Sequence, residues 1–237
     1  PLNEIIHGDC LEVMRQFPDK SIDMILCDLP YGVTGCKWDT IIPFEPLWEQ
    51  YERIIKDNRA IVLFATQPFT TDLINSNRKL YKYSWYWKKE RGTGIPIAKL
   101  QPMRIIEDIL VFGRGSVQYY PIMRKVKPYH HVLPLPREDT QHMYINMYSK
   151  SVDDKGRRRR IYRRYEEAYP VNLLEFPRDN MSDGKSLHPT QKPVELFEYL
   201  IKTYTLPGEV VLDNCIGSGT TAIACINTGR NFIGIEI

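Results

Sequence analysis

The sequence of 237 residues has no long apolar run and no closely spaced pair of cysteines. Both absences limit the classes of protein to which the chain can belong. No stretch approaches the roughly 18 consecutive apolar residues of a membrane-spanning helix. Its first residues also lack the charged, then apolar, pattern of a secretory signal. Five cysteines are present, without metal-ligand spacing: Cys10, Cys27, Cys36, Cys215 and Cys225. We therefore expect buried thiols, no metal site and no membrane contact, in a reducing cytoplasm.

Net charge is only +3, yet the positive charge is concentrated in the middle of the chain. Residues 114–185 contain 15 Lys and Arg against 9 Asp and Glu. The densest cationic run comprises Arg157, Arg158, Arg159 and Arg160, followed by Arg163 and Arg164. Such a segment is typical of a chain that contacts a polyanion, although a solvated loop has the same composition.

Hydrophobic periodicity predicts two α/β blocks separated by a segment without it. Helical spacing is found over residues 10–17, 44–56, 194–203 and 220–227, and buried strands are predicted over 22–27, 60–65, 109–112, 209–212 and 231–235. The periodicity disappears between residues 116 and 186, where we expect irregular structure with short elements. We predict one doubly wound, mostly parallel α/β sheet built from residues 1–115 and 187–237, with an insert over 116–186.

A glycine-rich loop follows the apolar strand at residues 210–212. Gly217 and Gly219, after Asp213, allow a sharp turn and close approach of a ligand to the backbone, beside a helix N-terminus. An acidic residue about 20 positions later, here Glu236, is where a ribose diol is held. The loop has no lysine to grip a triphosphate, so the pattern favours a simple nucleoside. Ordinary strand-to-helix turns also use glycine.

A second predicted strand ends in Asp28, Leu29, Pro30 and Tyr31. Methyl transfer to an exocyclic aromatic amine requires that its lone pair be freed from the ring. The Asp28 carboxylate and a backbone carbonyl, that of Leu29, can each accept one amine hydrogen. Pro30 stiffens the turn, and Tyr31 offers a face on which a flipped base can stack. An ordinary strand-to-turn ending is the alternative.

These motifs resemble those of amino-methyltransferases that use S-adenosylmethionine. Asp-Leu-Pro-Tyr at 28–31 resembles their Asp-Pro-Pro-Tyr motif, and residues 213–220 resemble their cofactor loop. His-Pro-Thr-Gln-Lys-Pro at 188–193 resembles the segment that precedes this loop in the beta class. The order of catalytic motif, recognition region and cofactor loop is also that of beta-class DNA methyltransferases. The resemblance implies a circularly permuted methyltransferase domain with a target-recognition insert.

The resemblance also implies a role for each matching residue. Asp28, Leu29, Pro30 and Tyr31 would form the catalytic motif, in which Asp28 and the Leu29 carbonyl orient the amine. Asp9 would lie near the cofactor's adenine, Glu236 on its ribose, and Thr190 and Lys192 along its methionine. The full set of cofactor candidates is Asp9, Thr190, Lys192, Asp213, Ile216, Gly217, Gly219, Thr220 and Glu236.

Two departures from the family pattern affect these assignments. Leu29 replaces a proline, which is tolerated if only its carbonyl acts. Asn214-Cys215-Ile216 lacks the usual Pro-Phe, so Ile216 is expected to take over the apolar contact of that Phe.

The implied activity is methyl transfer from S-adenosylmethionine to adenine N6 in DNA, in the cytoplasm of a bacterial or phage-infected cell. Asp rather than Ser at position 28 favours adenine statistically. Cytosine N4 and an RNA base stay open as substrates, as does a non-catalytic DNA-binding protein on the same fold. The arginine run would contact phosphates without choosing a sequence. Relatives of this class often dimerise, so a homodimer is one of the states expected.

Overall fold

A mostly parallel sheet of eight strands, with helices on both faces, forms the larger of the two units of this computed structural model. The structure describes residues 2–32, 39–132, 162–177 and 192–237. In spatial order the strands are β1 (Glu4–His7), β10 (Asn231–Glu236), β9 (Val210–Asp213), β2 (Ile22–Asp28), β3 (Ile55–Ala65), β5 (Arg104–Phe112), β4 (Tyr81–Thr93) and β8 (Leu173–Glu175). The strands from β1 to β3 pair in parallel, and β5 is antiparallel to both of its neighbours.

Alternation of apolar side chains along the central strands creates a core on each face of the sheet. In β2, Ile25 and Cys27 face one core, whereas Met24 and Leu26 face the other. The first core packs against α1 (Cys10–Met14), α2 (Phe44–Ile54) and α3 (Phe69–Ser76), and the second against α4 (Val194–Tyr204) and α5 (Thr220–Thr228). A strand buried on both faces carries a near-continuous run of apolar side chains, as residues 24–27 of β2 do. None of the described helices is long and apolar enough to cross a bilayer.

The predicted fold class is confirmed, since both ends of the chain contribute to one doubly wound sheet. Strand β1 lies beside β10, with Glu4 opposite Ile233 and His7 opposite Glu236. The circular permutation implied by the resemblance stays a prediction. Some element boundaries differ: α1 ends at Met14, and α2 ends at Ile54 because Ile55 begins β3.

The second unit comprises residues 121–170 and contains an antiparallel ribbon. Its strands are β6 (Arg124–Val132) and β7 (Tyr162–Ala168). Arg163 pairs with His131 and Arg164 with His130 in the ribbon register, whereas Arg157, Arg158, Arg159 and Arg160 lie outside the described residues. The unit is shorter than the predicted insert, because residues 116–120 and 171–177, including β8, belong with the main sheet.

Candidate functional site

The two strand-end motifs meet at one edge of the sheet. β2 and β9 are parallel neighbours, with Met24 opposite Val211 and Ile25 opposite Leu212. Asp28 ends β2 and Asp213 ends β9, so both following loops lie at the carboxyl ends of adjacent strands. Ligands of open α/β sheets bind at this edge.

The motif at residues 28–31 is held in place by contacts within it and with neighbouring residues. The Tyr31 hydroxyl donates a hydrogen bond to Asp28 Oδ1 over 2.5 Å, and the Tyr31 ring lies 5.2 Å from that of Phe69. Burial, and then the Asp28 carboxylate, raise the pKa of Tyr31 well above its ordinary value, so the phenol stays a neutral donor. The Gly32 amide donates to Asp39 Oδ1 over 2.8 Å.

Lys192 joins this motif from a distant part of the chain. Its ammonium donates to Asp28 Oδ2 and lies 3.5 Å from Glu107 Oε2. Burial by itself lowers the pKa of Lys192, but the carboxylates of Asp28 and Glu107 outweigh it, so the net shift is upward. Lys192 is therefore a cation bonded to the Asp28 carboxylate. Its predicted contact with the methionine part of the cofactor stays a prediction, and Thr190 lies outside the described residues.

Glu107 is a site residue that sequence reasoning missed, and Lys89 is its second cationic partner. The two side chains form a buried ion pair between β5 and β4. From the sequence, Glu107-Asp108 is interpreted as structural, because the pair lies at the start of a predicted strand. Alternation along the strand indicates that Glu107 is buried, because Ile109 and Val111, at alternate positions after it, lie on the same face and are fully buried.

Asp213 organises the loop after β9 from within. Its side chain is buried and accepts hydrogen bonds from the Cys215 amide over 3.1 Å and from the Thr221 hydroxyl. Burial raises its pKa to about 6, while these two hydrogen bonds oppose that shift. The next residue, Asn214, accepts from the Tyr51 hydroxyl over 2.5 Å, which ties the loop to α2. Asp213 thus fixes the loop, and its direct contact with the cofactor stays a prediction.

The glycines of the loop occupy backbone conformations that other residues adopt at a cost. Gly217 has φ +49° and Gly219, which caps α5, has φ +83°. A Cβ at Gly219 would meet no atom within 4 Å, so the space above this turn is open. Ile216 is buried against Gly234 of β10, whose missing side chain makes room for it. Ile216 thus anchors the loop on β10, and its expected role in place of the family's Phe stays a prediction.

The remaining cofactor candidates surround this loop. The Gly217 amide donates to Glu236 Oε2 over 2.7 Å, and Glu236 itself is exposed at the end of β10. Thr220 is the buried first residue of α5. Asp9 caps α1 by accepting hydrogen bonds from the Leu11 and Glu12 amides over 2.9 and 3.1 Å, and its predicted adenine contact stays a prediction. An exposed carboxylate beside an open glycine turn fits a ligand with a ribose diol.

The cysteines in the described part of the chain are free thiols. Cys10, Cys27 and Cys225 are buried, as predicted, and Cys215 is half-buried. Burial raises the pKa of Cys27 and of Cys225 to about 12, so neither is a thiolate at neutral pH. Within the described ranges, no group of three or more His, Cys, Asp or Glu side chains could hold a metal ion.

Comparison with known proteins agrees with this geometry. A family described as DNA methylase, of the N6/N4 methyltransferase type, matches residues 22–237. The chain is 31% identical to DNA adenine methyltransferase YhdJ of Escherichia coli K12, over 98% of this chain and 78% of that relative.

Solved structures share the fold. The M1.HpyAVI–SAM complex has 24% identity and a TM-score of 0.59, covering 98% of this chain and 92% of that one. PvuII DNA methyltransferase, which is cytosine-N4-specific, has 14% identity and a TM-score of 0.64, covering 99% of this chain and 81% of that one.

Proposed function

Because the chain belongs to the N6/N4 family of DNA methylases, we propose that it transfers a methyl group from S-adenosylmethionine to the N6 amine of adenine in DNA. The observation that carries this proposal is the position of Asp28 and Tyr31 at the end of β2, beside the glycine loop of β9. The 31% identity to an adenine methyltransferase supports adenine over cytosine. The intact cofactor loop and Asp28 argue against a non-catalytic scaffold.

In the proposed mechanism the protein prepares the amine for attack. Asp28 and the Leu29 carbonyl each accept one amine hydrogen, which frees the nitrogen lone pair from the ring. Pro30 keeps the turn rigid, and the Tyr31 ring stacks on the base after it leaves the helix. No covalent intermediate with the protein is required, which agrees with the raised pKa of the buried Cys27 thiol.

We propose that the loop after β9 holds the cofactor. When bound, S-adenosylmethionine supplies an electrophilic methyl group on a positively charged sulfur. The exposed Glu236 carboxylate accepts hydrogen bonds from the ribose hydroxyls, and the open turn at Gly217 and Gly219 admits the ligand close to the backbone. The further cofactor contacts in this proposal come from Asp9, Thr190, Lys192, Asp213, Ile216 and Thr220.

We also propose that the middle of the chain binds the DNA backbone. The arginine run carries this assignment, because clustered guanidinium groups bind phosphates independently of sequence. Its members are Arg157, Arg158, Arg159, Arg160, Arg163 and Arg164. We further propose that the protein acts in the cytoplasm of a bacterial or phage-infected cell, as a monomer or a homodimer.

The test is a methyl-transfer assay with labelled S-adenosylmethionine on mixed-sequence duplex DNA, followed by nucleoside analysis. We expect label in N6-methyladenine. Label in N4-methylcytosine alone would refute the adenine assignment, and an inactive wild-type protein would favour the scaffold alternative. An RNA duplex of the same sequence, assayed in parallel, tests the remaining substrate.

Asp28→Ala should abolish transfer, because the amine loses its acceptor, and should leave cofactor affinity within about twofold of the wild type. The matched control is Asp23→Asn, which alters a buried carboxylate on the same strand that pairs with Lys56 and Arg59 away from the loops. That variant should keep its turnover. Equal loss of cofactor binding in Asp28→Ala would show that Asp28 is not the amine acceptor.

A further inference from the structure

A row of alternating charges leads from the interior of the protein to the catalytic carboxylate. Lys89 pairs with Glu107 Oε1, Glu107 Oε2 lies 3.5 Å from the Lys192 ammonium, and Lys192 bonds to Asp28 Oδ2. The side chains of Lys89, Glu107 and Lys192 are 5%, 9% and 9% exposed, whereas that of Asp28 is 35% exposed. The row is therefore closed to solvent at every member except the one at the proposed reaction centre.

Stability alone does not account for such a row. Taking the charges of Lys89, Glu107 and Lys192 out of water has a desolvation cost that mutual attraction often fails to recover, so buried ion pairs are weak evidence for a stabilising role. The row also joins distant parts of the chain: Lys89 is on β4, Glu107 on β5, and Lys192 precedes α4. Its outer end is the carboxylate on which the proposed chemistry depends.

We propose that Glu107 and Lys89 are positioning residues, which hold the Lys192 ammonium against Asp28 and thereby orient that carboxylate toward the amine of the target base. The inference rests on the proposed function and deepens it. It assigns Glu107 and Lys89 to a site in which the sequence motifs had no place for them.

Two features explain why Glu107 is needed for this task. The Lys192 ammonium lies 4.9 Å from the centre of the Phe64 ring, so an aromatic face and two carboxylates confine it. Glu107 also shares the positive charge of Lys192, so that Asp28 is not its sole counter-ion and keeps its strength as an acceptor. A carboxylate has about four acceptor sites. Contacts from Lys192 and Tyr31 therefore leave sites open for the incoming amine.

The central variant is Glu107→Gln, which keeps the shape of the side chain and removes its charge. We expect turnover at saturating S-adenosylmethionine to fall at least tenfold. Because Lys192 keeps its bond to Asp28 in this variant, the dissociation constant for S-adenosylmethionine, measured by calorimetry, should rise by a smaller factor than that by which turnover falls. The matched control is Glu209→Gln, which alters a similarly sheltered carboxylate paired with Arg59, outside the row. We expect both variants to melt at a lower temperature than the wild type, but Glu209→Gln should keep its turnover within twofold.

A double variant separates positioning from stability. Glu107→Gln alone leaves the row with one excess positive charge, whereas Lys89→Met combined with Glu107→Gln restores its neutrality. The double variant should therefore recover much of the melting temperature lost by Glu107→Gln, but turnover should stay low because Lys192 still lacks its second carboxylate. Recovery of both quantities together would show a purely structural role and overturn the proposal. If Glu107→Gln fails to fold, the neutral double variant supplies the same test.

The proposal and the proposed function fail in different ways. Active wild-type protein, with full turnover in Glu107→Gln or in the double variant, overturns only the positioning role. Wild-type protein that transfers no methyl group to nucleic acid overturns the proposed function and, with it, this inference.

Discussion

The buried carboxylate of Asp213 makes the stability of the protein depend on pH in a direction that can be calculated. Its side chain is 3% exposed, and burial raises its pKa from the ordinary 3.8 to about 6. The folded protein thus holds this proton more tightly than the unfolded chain does. The group therefore favours folding fully below pH 3.8, and that contribution is lost as the pH rises through about 6.

Asp213→Asn removes the titrating carboxylate, so we predict that this variant does not show that loss of stability as the pH rises. At about 1.4 kcal/mol per pH unit, the shift corresponds to about 3 kcal/mol of unfolding free energy. Urea unfolding of both proteins between about pH 4 and pH 8 gives the difference in free energy at each pH. As the pH rises over this range, the unfolding free energy of the variant should increase relative to that of the wild type by most of this amount of roughly 3 kcal/mol. Because the comparison is made across pH, any constant cost of altered hydrogen bonds cancels.

Thr221→Val is the companion variant. It removes the hydroxyl that favours the charged form of Asp213, so the pKa should rise further and the pH-dependent loss should become larger than in the wild type.

A difference between wild type and Asp213→Asn that stays constant with pH would refute the reasoning. In that case Asp213 would titrate as it does in the unfolded chain.

Two further predictions concern the same loop. Gly234→Ala should cost about 1–3 kcal/mol of unfolding free energy, because its Cβ would lie 2.4 Å from Ile216 Cδ1. Ile216→Val removes that carbon and should reduce the cost by at least about 0.5 kcal/mol in a double-mutant cycle, and strictly additive losses would contradict the contact. Glu236→Gln should weaken S-adenosylmethionine binding roughly tenfold or more in a titration, since a charged acceptor is lost. The control is Glu4→Gln, which alters an exposed residue of the neighbouring strand and should have no effect on this affinity. Equal affinities for the two variants would contradict the assignment of Glu236 to the ribose site.

Much of the fold follows from local apolar patterns. Helical spacing predicts residues 194–203 and 220–227, and the structure has helices at Val194–Tyr204 and Thr220–Thr228. The pattern fails where two elements join without a break. Ile54 and Ile55 continue the helical spacing, but Ile55 has extended backbone and pairs with Ile22 in the sheet, so the helix ends at Ile54, two residues before the predicted end. Pairing with a distant strand decides such a boundary, and local spacing carries no record of it.

The ribbon of β6 and β7 shows the same limit on a larger scale. The sequence between residues 116 and 186 has no clear period, and irregular structure was the natural expectation. Arg124 nevertheless pairs with Ala168, and Val132 with Tyr162. Strands separated by a long connection are stabilised by each other, so neither has to show a strong period of its own.

The two strand-end motifs, the fold class that unites them and the family can be read from the sequence without any coordinates. These depend on residue type and spacing within short segments, such as Asp28 to Tyr31 and Gly217 to Gly219. The bond from Lys192 to Asp28, across 164 residues of sequence, and its extension into the core by Glu107 and Lys89 become visible only in the folded chain. The physical reason is that strand order and helix packing, which are long-range choices, determine which side chains share a buried space.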